Sequence, residues 1–344
     1  RDLHPVAHSF PTRRSSDLAK GGVPYSNLEI SIGLHSLGHD IKVIACHNKG
    51  IRKFVSSLPF QVKIIPKWPL TSMVSLSKKG VLNWFFLPFY YHLICRELKI
   101  FEPDVCLIAD TTANSFWGAI GNQIMIPYVS YCSVPVLMRG KIYHGHGFKS
   151  QMKKLVWGNI RERMWKSYKG ASNILVVSNS TKESLIREEP EVASKMEIVP
   201  RSINDSFFTA PVKKYEIMDI RQKIGINPND FVVLSVARLN INKGIGDVIK
   251  AFKKLENGLL NKIKYLVVGN GVDCNYFKNL TNANNLQNIV FFLGTVKHIE
   301  IINYYDICDV FLLPTRRGVR ESFGRAFVEA AARNKASIGT IDGG

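Results

Sequence analysis

The sequence predicts an α/β protein built as two doubly wound halves, each a parallel sheet with helices packed against it. Three observations carry that prediction. Short apolar runs of strand length recur along most of the chain, and stretches of helical length separate several of them. One polar, proline-bounded stretch near residue 205 interrupts the alternation. A chain of 344 residues that is 46% hydrophobic and 21% charged can bury two cores and shows none of the composition of a disordered chain.

In chain order, residues 1–18 carry neither strand nor helix periodicity and no apolar signal-peptide core. They resemble translated sequencing-adapter read-through, and the expectation is a non-native or disordered tract with the first strand missing. From Ala19 the text becomes orderly: Gly21 and Gly22 open a helical segment, Gly38 ends it, and residues 41–46 form an apolar strand. Strand-like runs follow at 62–65, 105–109, 127–131, 174–178 and 197–199. The segment 201–211, bounded by Pro200 and Pro211, reads as a linker, so the domains are expected at 19–205 and 206–344. A second series of strands follows at 231–236, 265–268, 289–293 and 310–313, with a last one at 336–339. The chain reads as cut short at both ends.

The formal charge is +19, and residues 51–169 hold 17 Lys or Arg against 5 Asp or Glu. Such a field attracts nucleic acid, anionic lipid headgroups or phosphorylated substrates alike. Aromatic-basic ribonucleoprotein motifs, helix-turn-helix signals and zinc spacings are all missing from the sequence, so nucleic acid is not an expected partner. Between Leu76 and Lys99 two lysines mix with Trp84, Phe85, Phe86, Phe89, Tyr90 and Tyr91. That suits either a buried helix or membrane-surface contact. The six cysteines are widely spaced inside apolar runs and read as reduced core thiols of a cytoplasmic protein.

The most informative stretch is 309–344. An apolar run stopped by Pro314 precedes a loop, and Ala-rich sequence from Phe323 to Arg333 reads as a helix. Ser322, Phe323 and Gly324 then sit at the helix start, where backbone N–H groups lacking intrahelical partners suit a phosphate. Glu321 precedes that turn and Glu329 lies eight residues on, about two helical turns deeper, so both carboxylates can border one pocket. The plainer reading is a helix-dipole partner and a solvated helix residue.

With the apolar run 309–314 before it and Gly343-Gly344 after it, the pattern Glu321-Ser-Phe-Gly and Glu329 resembles the donor-site signature of family 4 retaining glycosyltransferases. The resemblance implies the GT-B fold, with two Rossmann-like domains facing a cleft. It makes 19–205 the acceptor-binding domain and 206–344 the nucleotide-sugar domain. It also implies that Arg238 and Lys243, which follow the strand 231–236, stabilise a departing nucleoside diphosphate beside Glu321. Gly269 and Gly271 would line the donor cleft, Gly294 and Val296 would offer backbone groups to the base, and Gly21 and Gly22 would lie under the donor phosphates. Ser322, Phe323, Gly324 and Glu329 complete the donor contacts. Transfer of a hexose from a UDP- or GDP-sugar to a hydroxyl on a glycan or lipid-linked acceptor follows, in cell-surface polysaccharide or glycolipid synthesis. The place is the cytoplasm, peripheral at the inner face of an anionic membrane.

Four details bound this reading. Gly269-Asn270-Gly271 fails as a dinucleotide fingerprint, because Cys274 stands where a third glycine is needed and no suitable acid follows about 20 residues on. Ser133 stands where many relatives have a His near the reacting sugar, so no catalytic histidine is assigned. His144 and His146 read as loop or acceptor lining rather than metal ligands, and Asp306 and Asp309 do not form Asp-x-Asp. No metal and no cofactor is expected, the nucleotide-sugar being a substrate. The other readings open at this point are another GT-B enzyme, such as a sugar-nucleotide epimerase, and a basic nucleic-acid-binding protein.

Overall fold

The structure, a computed structural model, describes residues 5–9, 22–46, 58–65, 87–109, 111–120, 124–132, 148–316 and 321–341. The chain divides into two compact units, Arg1–Ser202 and Ile203–Gly344.

Among the described residues the first unit holds seven strands: β1 (Pro5–Ser9), β2 (Lys42–Cys46), β3 (Gln61–Ile65), β4 (Val105–Ala109), β5 (Tyr128–Cys132), β6 (Asn173–Val176) and β7 (Met196–Ile198). They form one sheet in the order β3-β2-β1-β4-β5-β6-β7, with every pair parallel. This differs from the expectation that residues 1–18 stand outside the fold with the first strand missing. Val6 pairs with Lys42 on one side and Cys106 on the other, so residues 5–9 fill the position between β2 and β4. The reason is backbone satisfaction: a five-residue extended segment supplies partners to two neighbours that would otherwise present bare edges.

Helix α1 (Gly22–Ser36) leads into β2, and Gly38 with φ +92° makes the turn that ends it. Helix α2 (Leu87–Phe101) buries Tyr90, Ile94 and Leu98, a stripe at i, i+4 and i+8 facing the sheet. For the described part of 76–99 this is the buried-helix alternative; residues 76–86 lie outside the described residues. On the same helix Glu97 bonds Lys42 and Lys63, both at 2.8 Å. Burial alone would raise the Glu97 carboxyl, but hydrogen bonds from the two lysines hold it below its ordinary value.

Helices α3 (Thr111–Ile120) and α4 (Phe148–Gly170) pack so closely that a Cβ on Gly118 would stand 1.6 Å from the Arg163 carbonyl oxygen. Asn114 joins them to β5: its Oδ1 accepts from Ser130 at 2.7 Å and Ser167 at 2.9 Å, and its Nδ2 donates to Ile108 O at 3.2 Å. Helix α5 (Asn179–Ile186) connects β6 to β7 and is capped by Ser178, whose Oγ accepts the Thr181 N–H at 3.2 Å.

The second unit begins inside the expected linker. Residues Ser206–Thr209 form a helical turn, α6, whose Phe207 is fully buried in the core of this unit. Buried Arg333 donates to Phe207 O at 3.2 Å and Ala210 O at 2.8 Å while its Nε and Nη2 grip Asp306 at 2.7 and 2.8 Å. A stretch without periodicity thus belongs to the second unit because one aromatic ring and one guanidinium anchor it. Helix α7 (Lys214–Ile224) follows, ended by Gly225 with φ +77°.

Strands β8 (Phe231–Val236), β9 (Ile263–Val268), β10 (Val290–Gly294), β11 (Val310–Leu313) and β12 (Ala336–Gly339) make a parallel sheet in the order β10-β9-β8-β11-β12. Helices α8 (Ile245–Phe252), α9 (Asn257–Leu260), α10 (Cys274–Ala283), α11 (Ile301–Ile307) and α12 (Arg325–Ala332) connect them. Val232 and Leu234 on β8, Tyr265 to Val267 on β9 and Phe311 on β11 are buried with Phe277 and Tyr305, so this sheet reads as the near-continuous apolar runs of a covered parallel sheet. Among the described residues no helix is long and apolar enough to cross a membrane.

Candidate functional site

In the second sheet the chain leaves β8 for β9 and β10 on one side, then returns to lay β11 on the other. Strand order therefore reverses between β8 and β11, and in open α/β sheets ligands bind beyond the carboxyl ends of the strands at that reversal. The loops that leave these two strands carry Arg238, Lys243 and Glu321 to Gly324, while Gly269 and Gly271 follow β9 and Gly294 ends β10.

The loop after β8 is stitched down residue by residue. Leu239 is buried, and its N–H donates to Asn270 O at 3.1 Å. The Asn240 side chain caps a short 3-10 turn by accepting the Asn242 N–H at 3.1 Å, and Asp273 accepts the Ile241 N–H at 2.8 Å. Gly244 has φ +73°, and a Cβ there would stand 1.9 Å from Pro314 O, so this loop presses directly on the loop after β11. The Arg316 N–H donates to Asn242 O at 2.9 Å.

The consequence is a contact between residues 78 apart in sequence. The Lys243 ammonium donates to Glu321 Oε2, and Thr315 Oγ1 reaches the same oxygen at 3.4 Å. Both charged side chains are partly buried. Beside them Arg316 makes a bidentate pair with Asp247 on the first turn of α8, Nε and Nη2 each at 2.7 Å. Those hydrogen bonds hold the Asp247 carboxyl below its ordinary value. Arg238 lies on the same loop, is exposed, and has no side-chain hydrogen bond or ion pair among the described residues.

Ser322, Phe323 and Gly324 form the turn from Glu321 into α12, and Gly324 with φ +68° immediately precedes the helix. Five residues on, Glu329 is buried rather than solvated. Its Oε1 accepts from Arg325 Nε at 3.1 Å and meets His298 Nε2 at 3.3 Å, and its Oε2 accepts from Tyr305 Oη at 2.9 Å. Burial and the adjacent Glu329 charge push the Tyr305 hydroxyl well above its ordinary pKa, so it keeps its proton and donates it as a hydrogen bond to the carboxylate. Sequence reading missed His298 and Tyr305. Of this cluster only the i, i+4 spacing of Arg325 and Glu329 was a readable signal.

The glycines divide. A Cβ on Gly269, which has φ +132°, would stand 1.9 Å from Ala237 O, and one on Gly271 would stand 2.0 Å from Leu239 O. The backbone that approaches these two glycines is that of the neighbouring β8 loop. Gly294, with φ +70°, has no atom near its would-be Cβ, and its carbonyl accepts the Gly269 N–H at 2.7 Å. Val296 packs against the core two residues beyond. In the first unit Gly22 opens α1, whereas Gly21, Ser133, His144 and His146 lie outside the described residues. Burial pushes the Cys106 and Cys308 thiols up to about 12, which makes them inert core groups.

Comparison with known proteins matches the description "Glycosyltransferase Family 4" to residues 20–207 and "Glycosyl transferases group 1" to residues 216–344. An alpha-monoglucosyldiacylglycerol synthase of Acholeplasma laidlawii is 26% identical over 325 residues, which span 90% of this chain and 74% of that protein. The synthase of the same name from Streptococcus pneumoniae is 27% identical over 327 residues, 90% of this chain and 66% of its own length. Among solved structures, Anabaena HepE in complex with UDP and glucose superposes with a TM-score of 0.71 at 18% identity, covering 99% of this chain and 82% of that one. The two parallel-sheet units are those of the GT-B fold. With one family description covering more than half of its length and the other most of the remainder, this chain belongs to the family 4 glycosyltransferases.

Proposed function

We propose that the chain transfers a hexose with retention from a UDP-sugar, or a GDP-sugar, to a hydroxyl of a lipid-linked or polysaccharide acceptor at the inner face of a membrane. The observation that carries this reading is the Lys243–Glu321 pair at the carboxyl ends of β8 and β11, a cation and a carboxylate held side by side where the strand order reverses. Lys243 and the exposed Arg238 supply positive charge for a diphosphate leaving group, and the turn Ser322–Gly324 adds backbone N–H groups at a helix start. Glu321 accepts hydrogen bonds from sugar hydroxyls once Lys243 turns to phosphate. Gly294 and Val296 offer backbone groups to the base, with Gly269 and Gly271 shaping the donor side. Glu329, on α12 itself, backs this turn from within the helix.

The reaction balances without a protein base. The acceptor oxygen bonds to the anomeric carbon on the face that the diphosphate leaves, the glycosidic C–O bond to phosphate breaks, and the departing phosphate oxygen takes the acceptor proton. On this reading neither metal nor cofactor is required, because Lys243 and Arg238 neutralise the developing charge. A UDP-bound structural neighbour and diacylglycerol-glycosylating relatives support the choice of donor and acceptor classes. The +19 charge suits an anionic membrane.

The test is calorimetric titration of UDP, GDP and their glucose and mannose conjugates into the chain, followed by transfer to diacylglycerol or a glycosylated diacylglycerol in vesicles. Lys243→Ala is expected to lower turnover about 10²- to 10³-fold, as for loss of one pre-placed donor to a developing negative charge. Wild-type turnover in that variant sinks the assignment.

A further inference from the structure

We infer that the Asp247–Arg316 pair is a positioning latch for the site, holding the loop that carries Lys243 against the loop that leads to Glu321. The inference rests on reading Lys243 as the group that meets the diphosphate.

Two ion pairs bridge the same two loops and differ in kind. Lys243 meets Glu321 through a compact ammonium on a flexible stem, which attracts but does not orient. Arg316 meets Asp247 through two parallel bonds of 2.7 Å, a geometry that fixes both distance and angle. Asp247 stands three residues after Gly244, whose lack of a side chain lets the loop touch Pro314, and Arg316 stands two residues after Pro314. The Arg316 N–H to Asn242 O bond lies between them. The latch therefore closes a seam of four contacts, from Asn242, Lys243 and Gly244 on one loop and Asp247 at the start of α8, against Arg316, Pro314 and Glu321 on the other side.

Both latch side chains are roughly 40% exposed, at 39% and 44%. Such a pair adds little to folding stability, so its geometric effect can be measured apart from it. Misplacement of a binding group by about 1 Å can cost up to 10²-fold; a loosened but still tethered loop is expected to cost roughly tenfold.

The test is UDP affinity, measured by calorimetry on the 344-residue chain and its variants, with melting temperature alongside. Arg316→Gln and Asp247→Asn should each weaken UDP about tenfold, and the charge-swapped double variant Asp247→Arg with Arg316→Asp should recover to within roughly threefold, all melting near wild type. In a Lys243→Ala background Arg316→Gln should add less than about twofold, because its effect passes through Lys243. The latch is overturned if both single variants bind as wild type, or if the tenfold loss persists without Lys243. It is also overturned if Arg316→Gln weakens UDP while Asp247→Asn does not, since Arg316 would then touch the nucleotide itself. A wild-type chain that binds neither UDP nor GDP removes the proposed function and the latch together, whereas wild-type binding with indifferent variants removes the latch alone.

Discussion

Replacing Glu329 by Ala should destabilise the second unit strongly, whatever it does to catalysis. The carboxylate is 5% exposed and serves three donors at once: Arg325 at 3.1 Å, Tyr305 at 2.9 Å and His298 at 3.3 Å. Its removal leaves the fully buried Tyr305 hydroxyl with only the longer bond to Ala326 O at 3.2 Å, a cost of about 1 kcal/mol. It also takes the Glu329 carboxylate from the Arg325 guanidinium, 11% exposed, and breaking a buried pair from one side costs about 3–5 kcal/mol. The two terms overlap because the groups share one network, so the larger decides, and about 3–5 kcal/mol is expected. For a unit of this size that lowers the melting temperature by roughly 10–15 °C. Glu329→Gln keeps the volume and one acceptor, and should cost only about 1–2 kcal/mol. Thermal melts followed by near-ultraviolet circular dichroism check both. A Glu329→Ala protein melting within about 3 °C of wild type would refute the network as a support. The Gln variant separates support from contact: folded but weakened toward UDP, it would place the carboxylate on the donor as well.

Two further outcomes follow from the same structure. Gly269→Ala forces a side chain into φ +132° and against Ala237 O, two faults of about 1–3 kcal/mol each, so the second unit should lose roughly 2–5 kcal/mol in a urea titration; Gly294→Ala, with open space at its Cβ, should lose less. The first unit should be acid-sensitive through Glu97. Its carboxyl is held below its ordinary value in the fold, so the unfolded chain takes up the proton first, and the stability it contributes is present above about pH 4.3 and lost as pH falls through the lower folded value. Glu97→Gln should therefore flatten the fall in melting temperature between about pH 5 and pH 3; an unchanged slope would remove Lys42 and Lys63 as its cause.

Much of this protein was legible in order along the chain. The strands 105–109, 231–236 and 310–313 were expected at the observed bounds, because a covered parallel strand is a short apolar run with a turn signal after it, and the exposed edge strand 336–339 was expected at its bounds as well. The Lys243 and Glu321 stretches were legible too, since Gly and Pro punctuate the loops that hold them. Periodicity was silent at residues 5–9, which become a strand only because β2 and β4 need a neighbour, and at Phe207, which is placed by Arg333 from 126 residues away.

By itself the sequence determined the α/β class, the two-part division and the family, because each rests on local alternation and on motifs contiguous in the chain. Tertiary structure alone decided which charges meet. Lys243 finds Glu321 and Arg316 finds Asp247 only after two parallel strands, separated by more than 70 residues, lie side by side, and Glu329 finds Tyr305 and His298 only when the helices on either side of β11 pack together. It also gave Gly269 and Gly271 their reason, since the close backbone they admit belongs to a neighbouring loop that no local pattern names. Hydrogen-bond geometry is set by through-space approach, and approach is a property of the packed sheet rather than of spacing along the chain.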